Sequence, residues 1–178
     1  MTEIRSSATQ YGLVAVSIHW IMAILLCAAI YFGFAAAGTK AEADKVALLQ
    51  LHATAGICVL LLSLTRVTWW LFFDKKPESV PDSSKGRRAI AGTVHFLLIA
   101  LPLLGAAIGT TIAIQSGAIP TLFFGASIPL PDFWESALRL PHGIVARVIL
   151  VLVIIHIAGF LLGLVLKPKA QFKRIWFR

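Results

Sequence analysis

The chain has 178 residues, of which 58% are hydrophobic and only 13% charged, with a mean hydropathy of +0.87. A water-soluble domain of this length is about half apolar and a quarter charged, so the composition excludes an ordinary soluble fold and points to lipid as part of the solvent. A net charge of +8 would suit nucleic acid in a polar chain, but in one this apolar it marks basic loops held on one side of a membrane.

Four apolar runs are each long enough to cross a bilayer, which takes about 20 helical residues. The first, 14–37, exceeds the roughly 7–15 residues of a signal-peptide core and is predicted to stay as a helix, with His19 just inside its start. A polar link from Lys40 to Lys45 leads to the second run, 46–73, which carries His52 near its start and Arg66 fourteen residues later. The link from Asp74 to Arg88 is rich in Lys, Asp, Ser and Pro. The third run, 89–114, holds His95 near its start and Pro102, which predicts a kink.

The third link, Gln115 to Leu140, is longer. Pro120, Pro129 and Pro131 exclude a continuous helix there, and Phe123, Phe124 and Trp134 predict that it lies in the membrane interface. The fourth run, 141–166, carries His142, Arg147 and His156, and the tail from Lys167 to Arg178 is basic and amphipathic. Gly33, Gly56, Gly105, Gly109 and Gly159 fall inside the runs, where glycine permits close approach of another helix or of a flat ligand. The predicted fold is all-α: one transmembrane domain over 1–178, a bundle of four membrane-spanning helices. Cys27 and Cys58 lie inside apolar runs and form no disulfide framework.

Orientation follows from the basic residues. Arg5, the group Lys75, Lys76, Lys85, Arg87 and Arg88, and the tail residues Lys167, Lys169, Lys173, Arg174 and Arg178 fall on one side; Lys40, Lys45 and Arg139 fall on the other. The positive-inside rule predicts that both termini and the second link are cytoplasmic.

All five histidines lie in or at the ends of the apolar runs. One intramembrane histidine is adequately explained as an interhelical hydrogen-bond partner. Five point to function, because ionisable groups in a bilayer are costly. His142 and His156 are fourteen residues apart, hence on nearly one helix face and about 21 Å apart along the axis. Depth pairs His19 with His156 at the cytoplasmic level, and His52 with His142 at the periplasmic level. Two stacked pairs suit the axial positions of two six-coordinate haems, whereas a zinc or copper ion would gather its ligands at one depth. Without a C-x-x-C-H sequence the haems are expected to be two non-covalent haem b groups. A proton relay of histidines is the alternative. His95 is open between a haem propionate, a quinone pocket and a plain helix-to-helix hydrogen bond. Arg66 and Arg147 are open between pairing with propionates and snorkelling to the interface.

These residues resemble the bacterial cytochrome b561 family, which includes stand-alone di-haem cytochromes and the cytochrome b subunits of nickel hydrogenases and formate dehydrogenases. The matching pieces are Ser17-Ile18-His19-Trp20, Leu51-His52-Ala53 with Gly56, Ala100-Leu101-Pro102 with Gly105, and the spaced pair His142 and His156. The resemblance covers essentially the whole chain. It implies the same ligand pairs, a multi-pass place in the bacterial inner membrane, and a role in the respiratory chain between a periplasmic redox partner and ubiquinone or menaquinone. Short members of the superoxide oxidase type imply superoxide as donor and make the chain an oxidoreductase; otherwise it is an electron carrier, or the membrane anchor of a separate periplasmic enzyme or haem protein. No nucleic-acid partner is implied. Two features depart from the family pattern. Ala91 stands where many members have a histidine in the third helix, with His95 one turn later, and Gly163 and Leu164 stand where many have a histidine pair. A positive periplasmic face would steer superoxide inward, but Lys40, Lys45 and Arg139 are balanced by Glu42, Asp44, Asp132 and Glu135.

Overall fold

The computed structural model describes residues 3–78 and 84–166. The long helices are α1 (Leu13–Gly38), α2 (Glu42–Thr68), α3 (Lys85–Gln115) and α5 (Arg139–Leu166), with a short α4 (Ile119–Phe123) in the third link. All four long helices are apolar enough to span a membrane, the second span including a π-helical turn, Trp69–Phe73, that continues α2. The basic tail lies outside the described residues.

Helices α2 and α3 begin a few residues before the predicted apolar runs, for reasons of charge and capping. Glu42 and Asp44 occupy the first turn of α2, where negative charge complements the helix dipole. Ser84 caps α3 by accepting a hydrogen bond from the Arg87 backbone N–H at 3.3 Å, satisfying one of the free donors of the first turn. Polar residues can thus extend a helix past the lipid that its apolar stretch requires.

α1 packs along α2, α3 along α5, and α2 against α3. Small and larger side chains share the contacts: Ala15, Ala29 and Ala36 with Val16, Ile18 and Met22 of α1, and Ala55 and Ser63 with Val59 of α2, are buried. Pro102 is buried within α3, which remains a single helix through it. A Cβ on Gly105 would lie 3.2 Å from Val145 of α5, so this glycine sets how closely those two helices approach. Large side chains such as Ile24, Leu61, Ile90, Phe96, Ile154 and Val165 point outward. That is the reverse of a soluble bundle and is what a lipid solvent requires.

The third link folds as a cap over one end of the bundle. Gly117 and Gly125 take positive φ angles of 71° and 65° on either side of α4, a backbone conformation that favours glycine. Thr121 donates its hydroxyl hydrogen to the Ile128 carbonyl at 2.9 Å, and Glu42 accepts from the Leu130 backbone N–H at 3.2 Å, tying the link to the start of α2. The Arg139 guanidinium lies over the Trp134 ring, 4.9 Å from its centroid.

At the other end, the segment before α1 is latched to the end of α2. Asp74 accepts from the Ser6 backbone N–H at 3.0 Å, the Ser6 hydroxyl at 2.8 Å, the Trp69 indole at 3.1 Å and its neighbour's backbone N–H at 2.8 Å. The Tyr11 and Trp70 rings meet edge to face at 5.9 Å. Burial works against the Asp74 charge, but these donors outweigh it and hold the carboxyl below its usual 3.8. A depressed value means that the latch is fully formed above the ordinary carboxylate range and is lost as pH falls through the folded-state value. Asp74→Ala is expected to cost about 1.5–3 kcal/mol locally, as removal of a charged acceptor does. Hydrogen-exchange protection at residues 6–12, taken relative to the intrinsic rate at each pH, should fall in the variant at neutral pH and in the wild type under acid, with α5 unaffected.

Candidate functional site

The functional side chains occupy two levels of the bundle, fourteen residues apart on every long helix. α1 presents His19 and then Gly33; α2 presents His52 and then Arg66; α3 presents His95 and then Gly109; α5 presents His142 and then His156. Because successive helices run in opposite directions, His19, Arg66, His95 and His156 share the level nearer the basic end. Gly33, His52, Gly109 and His142 share the other. Fourteen residues is close to a whole number of turns, so both residues of each helix fall on one face, about 21 Å apart.

Each level brings imidazoles of different helices together, one pair at the level of His52 and three rings, His19, His95 and His156, at the other. His19 and His156 have ring centroids 6.2 Å apart and planes inclined at 61°. His52 and His142 are 5.8 Å apart at 86°. Two metal–imidazole bonds of about 2 Å in line, plus the two ring radii, place opposed centroids about 6 Å apart, so both pairs have the separation of axial ligands on one iron. The helices that bear the partners, α1 with α5 and α2 with α5, are not among the closely packed neighbours within the described residues. Each pair therefore reaches across the bundle from two different layers.

At the level away from the basic end the ring orientations are set by backbone. His52 Nδ1 lies 2.7 Å from the Ala29 carbonyl oxygen of α1, and His142 Nδ1 lies 3.1 Å from the Gly105 carbonyl oxygen of α3. A carbonyl oxygen only accepts, so each Nδ1 carries the proton and donates it. Each Nε2 is left with its lone pair for a metal.

The other level is polar and positively biased. His95 lies beside His156, with centroids 5.1 Å apart, and is more open than the other four histidines. Arg66 is half-buried, with Nη1 4.0 Å from the Met22 sulfur, and is close enough to His19, His95 and His156 to act electrostatically on each. The Met22 contact places its guanidinium against α1, on the level of the histidines. Arg147 is exposed: its guanidinium donates to the Gly143 carbonyl at 2.9 Å and approaches the Phe34 ring at 5.7 Å. The structure brings Arg66 to a histidine pair and gives Arg147 these other partners.

A family model for prokaryotic cytochrome b561 matches residues 10–178. The chain belongs to that family. It is therefore a multi-pass protein of the bacterial inner membrane and a b-type cytochrome that transfers electrons. The residues present fit the b-type haem that the family implies. They supply opposed imidazoles at an axial separation, Nε2 lone pairs left free by the carbonyl contacts, and glycines where the rings press closest. In this cytochrome a Cβ on Gly33 would lie 2.8 Å from His52 Nδ1, and one on Gly109 would lie 3.0 Å from His142 Cε1. Composition and pattern mark these glycines as places where another helix or a flat ligand comes close, without linking them to particular histidines. The sign that they belong with the histidines is their register, fourteen residues after His19 and His95.

Proposed function

We propose that the chain is a single-domain di-haem cytochrome carrying single electrons between a periplasmic partner and the membrane quinone pool, ubiquinone or menaquinone. The carrying observation is the occurrence of two facing imidazole pairs at two levels. In this reading His19 and His156 hold the inner haem, nearer the basic and cytoplasmic side, and His52 and His142 hold the outer one. Both termini are cytoplasmic. Haem held by these histidine pairs would supply one-electron redox chemistry, and two histidines on each would favour electron transfer over oxygen binding.

The protein's own residues supply the rest. The imidazoles fix the two irons at separate depths, and the apolar helix faces keep water from the space between. Arg66 has no carboxylate partner among the described residues, and an isolated cation there is costly, so it suits a haem propionate of the inner site. His95, beside His156 and more open, suits a quinone or propionate contact. The inner level therefore has the polar groups that a quinone headgroup needs, and the outer level has the capped surface that meets the periplasmic donor.

For an isolated chain superoxide is the concrete donor: each superoxide gives up one electron and leaves as dioxygen, and two such events with two protons convert a quinone to a quinol. Anchoring to a separate periplasmic redox protein is the second reading. It is favoured by the folded third link, whose Phe124 and Trp134 turn outward at 77% and 71% exposure. Purified protein is expected to contain two haem b per chain and to reduce a soluble quinone analogue when supplied with superoxide. One haem per chain would sink the di-haem assignment. Two haems without superoxide-driven quinone reduction, together with capture of a periplasmic redox protein, would move the function to the anchor.

A further inference from the structure

We infer that Gly33 and Gly109 are positioning residues for the outer histidine pair: each uncovers the helix carbonyl on which the facing imidazole docks its Nδ1–H. The inference rests on the reading of His52 and His142 as axial ligands and assigns the residues that orient them.

In an α-helix the carbonyl of residue i accepts from the backbone N–H of residue i+4, and its second lone pair looks outward past the side chain of that residue. The same arrangement occurs twice at the outer level. On α1 the acceptor is the Ala29 carbonyl and the residue four later is Gly33; on α3 the acceptor is the Gly105 carbonyl and the residue four later is Gly109. In both, the docked imidazole occupies the space that a Cβ would fill. At Gly33 the hypothetical Cβ falls 2.8 Å from His52 Nδ1 and 2.9 Å from Cε1; at Gly109 it falls 3.0 Å from His142 Cε1 and 3.5 Å from Nδ1. A methyl group at either place must push the ring off its carbonyl, more severely at Gly33. Gly56 and Gly159, also helical, would meet nothing within 4 Å, so the tight fit belongs to particular glycines.

The consequence is electronic as well as steric. An imidazole that donates Nδ1–H to a carbonyl is a more basic ligand through Nε2, and a more basic ligand favours the ferric state. Both outer ligands carry this bond. Among the described residues no such bond is seen from His19, His95 or His156, and the inner level has the Arg66 cation instead. Freeing an outer imidazole from its carbonyl should therefore raise the outer haem's midpoint potential. Loosening that merely admitted water would lower it, because water stabilises the more highly charged ferric form.

The test uses the full-length holoprotein with Gly33→Ala, Gly109→Ala and, as control, Gly56→Ala, followed by haem-resolved redox titration and low-spin electron paramagnetic resonance. The expected result is a positive shift of the outer haem and a changed outer resonance, larger for Gly33→Ala, with the inner haem and the control unmoved. Selective loss of the outer haem in Gly33→Ala would support the same role. An unchanged outer haem, a negative shift, or equal disturbance of both haems in both variants would overturn it. His52→Ala separates this from the underlying assignment. If that variant keeps both haems, the ligand reading is wrong; if it loses the outer haem while both glycine variants are silent, only the positioning role fails.

Discussion

Replacing His142 by alanine is expected to remove one haem and leave the other, and His52→Ala should reproduce the same loss. The two rings face each other at 5.8 Å, so neither can hold an iron in six-coordination without the other. His19→Ala and His156→Ala should remove the second haem by the same argument at 6.2 Å. The effect is expected to be large and confined to one site, because each imidazole is one half of a facing pair and the other pair stands fourteen residues away along the helices. Haem-to-protein ratios and reduced-minus-oxidised spectra of each variant measure it. His95→Ala should keep both haems. His95 touches His156 at 5.1 Å, a smaller separation than that of either facing pair, and it lies on α3, which contributes a glycine rather than a histidine at the outer level. Loss of haem from the His95 variant, with retention in any of the other four, would overturn the pairing.

Much of this arrangement is legible in the sequence because the membrane simplifies the physics. Apolar length alone marks the spans, and a recurrence of fourteen residues on one helix fixes face and depth together, which is why the His142–His156 spacing gives the two levels. The boundaries are less legible: Glu42, Asp44 and Ser84 extend helices by dipole complementarity and capping, effects that hydropathy does not see. The Asp74 latch is invisible for a different reason. It joins Ser6 to a residue 68 positions away, and nothing local in either segment specifies that contact. Gly33 and Gly109 lie between these cases. Their register with His19 and His95 is present in the sequence, but a missing Cβ acquires its meaning only when the neighbouring ring is seen occupying its place. Arg66 and Arg147 look alike as cations in apolar sequence, and helix packing separates them: one lies half-buried against Met22, the other out on its own backbone and Phe34.

Arg66→Leu should lower the midpoint potential of the inner haem and leave the outer one unchanged. Reduction removes one positive charge from the iron centre, so a nearby fixed cation favours the reduced form and its removal favours the oxidised form. The sign is the same whether Arg66 acts directly on the iron or by neutralising a propionate. At an effective dielectric of about 20, a unit charge some 10 Å away is worth about 1.7 kcal/mol; for a one-electron couple, at 59 mV per tenfold change, that is on the order of 70 mV. The outer pair is about 21 Å further along the bundle, where the same charge has a small effect. Arg66→Lys should keep most of the potential, since it retains the charge while losing the planar fork. Redox titration resolved by haem decides the matter: an inner potential that stays put in Arg66→Leu would mean that the guanidinium is screened from the iron, and one that rises would overturn the electrostatic role. The polar inner level would then owe its electrostatics to His95 and the loop lysines. A fall confined to the inner haem would identify Arg66 as the residue that draws electrons towards the cytoplasmic side of the bundle.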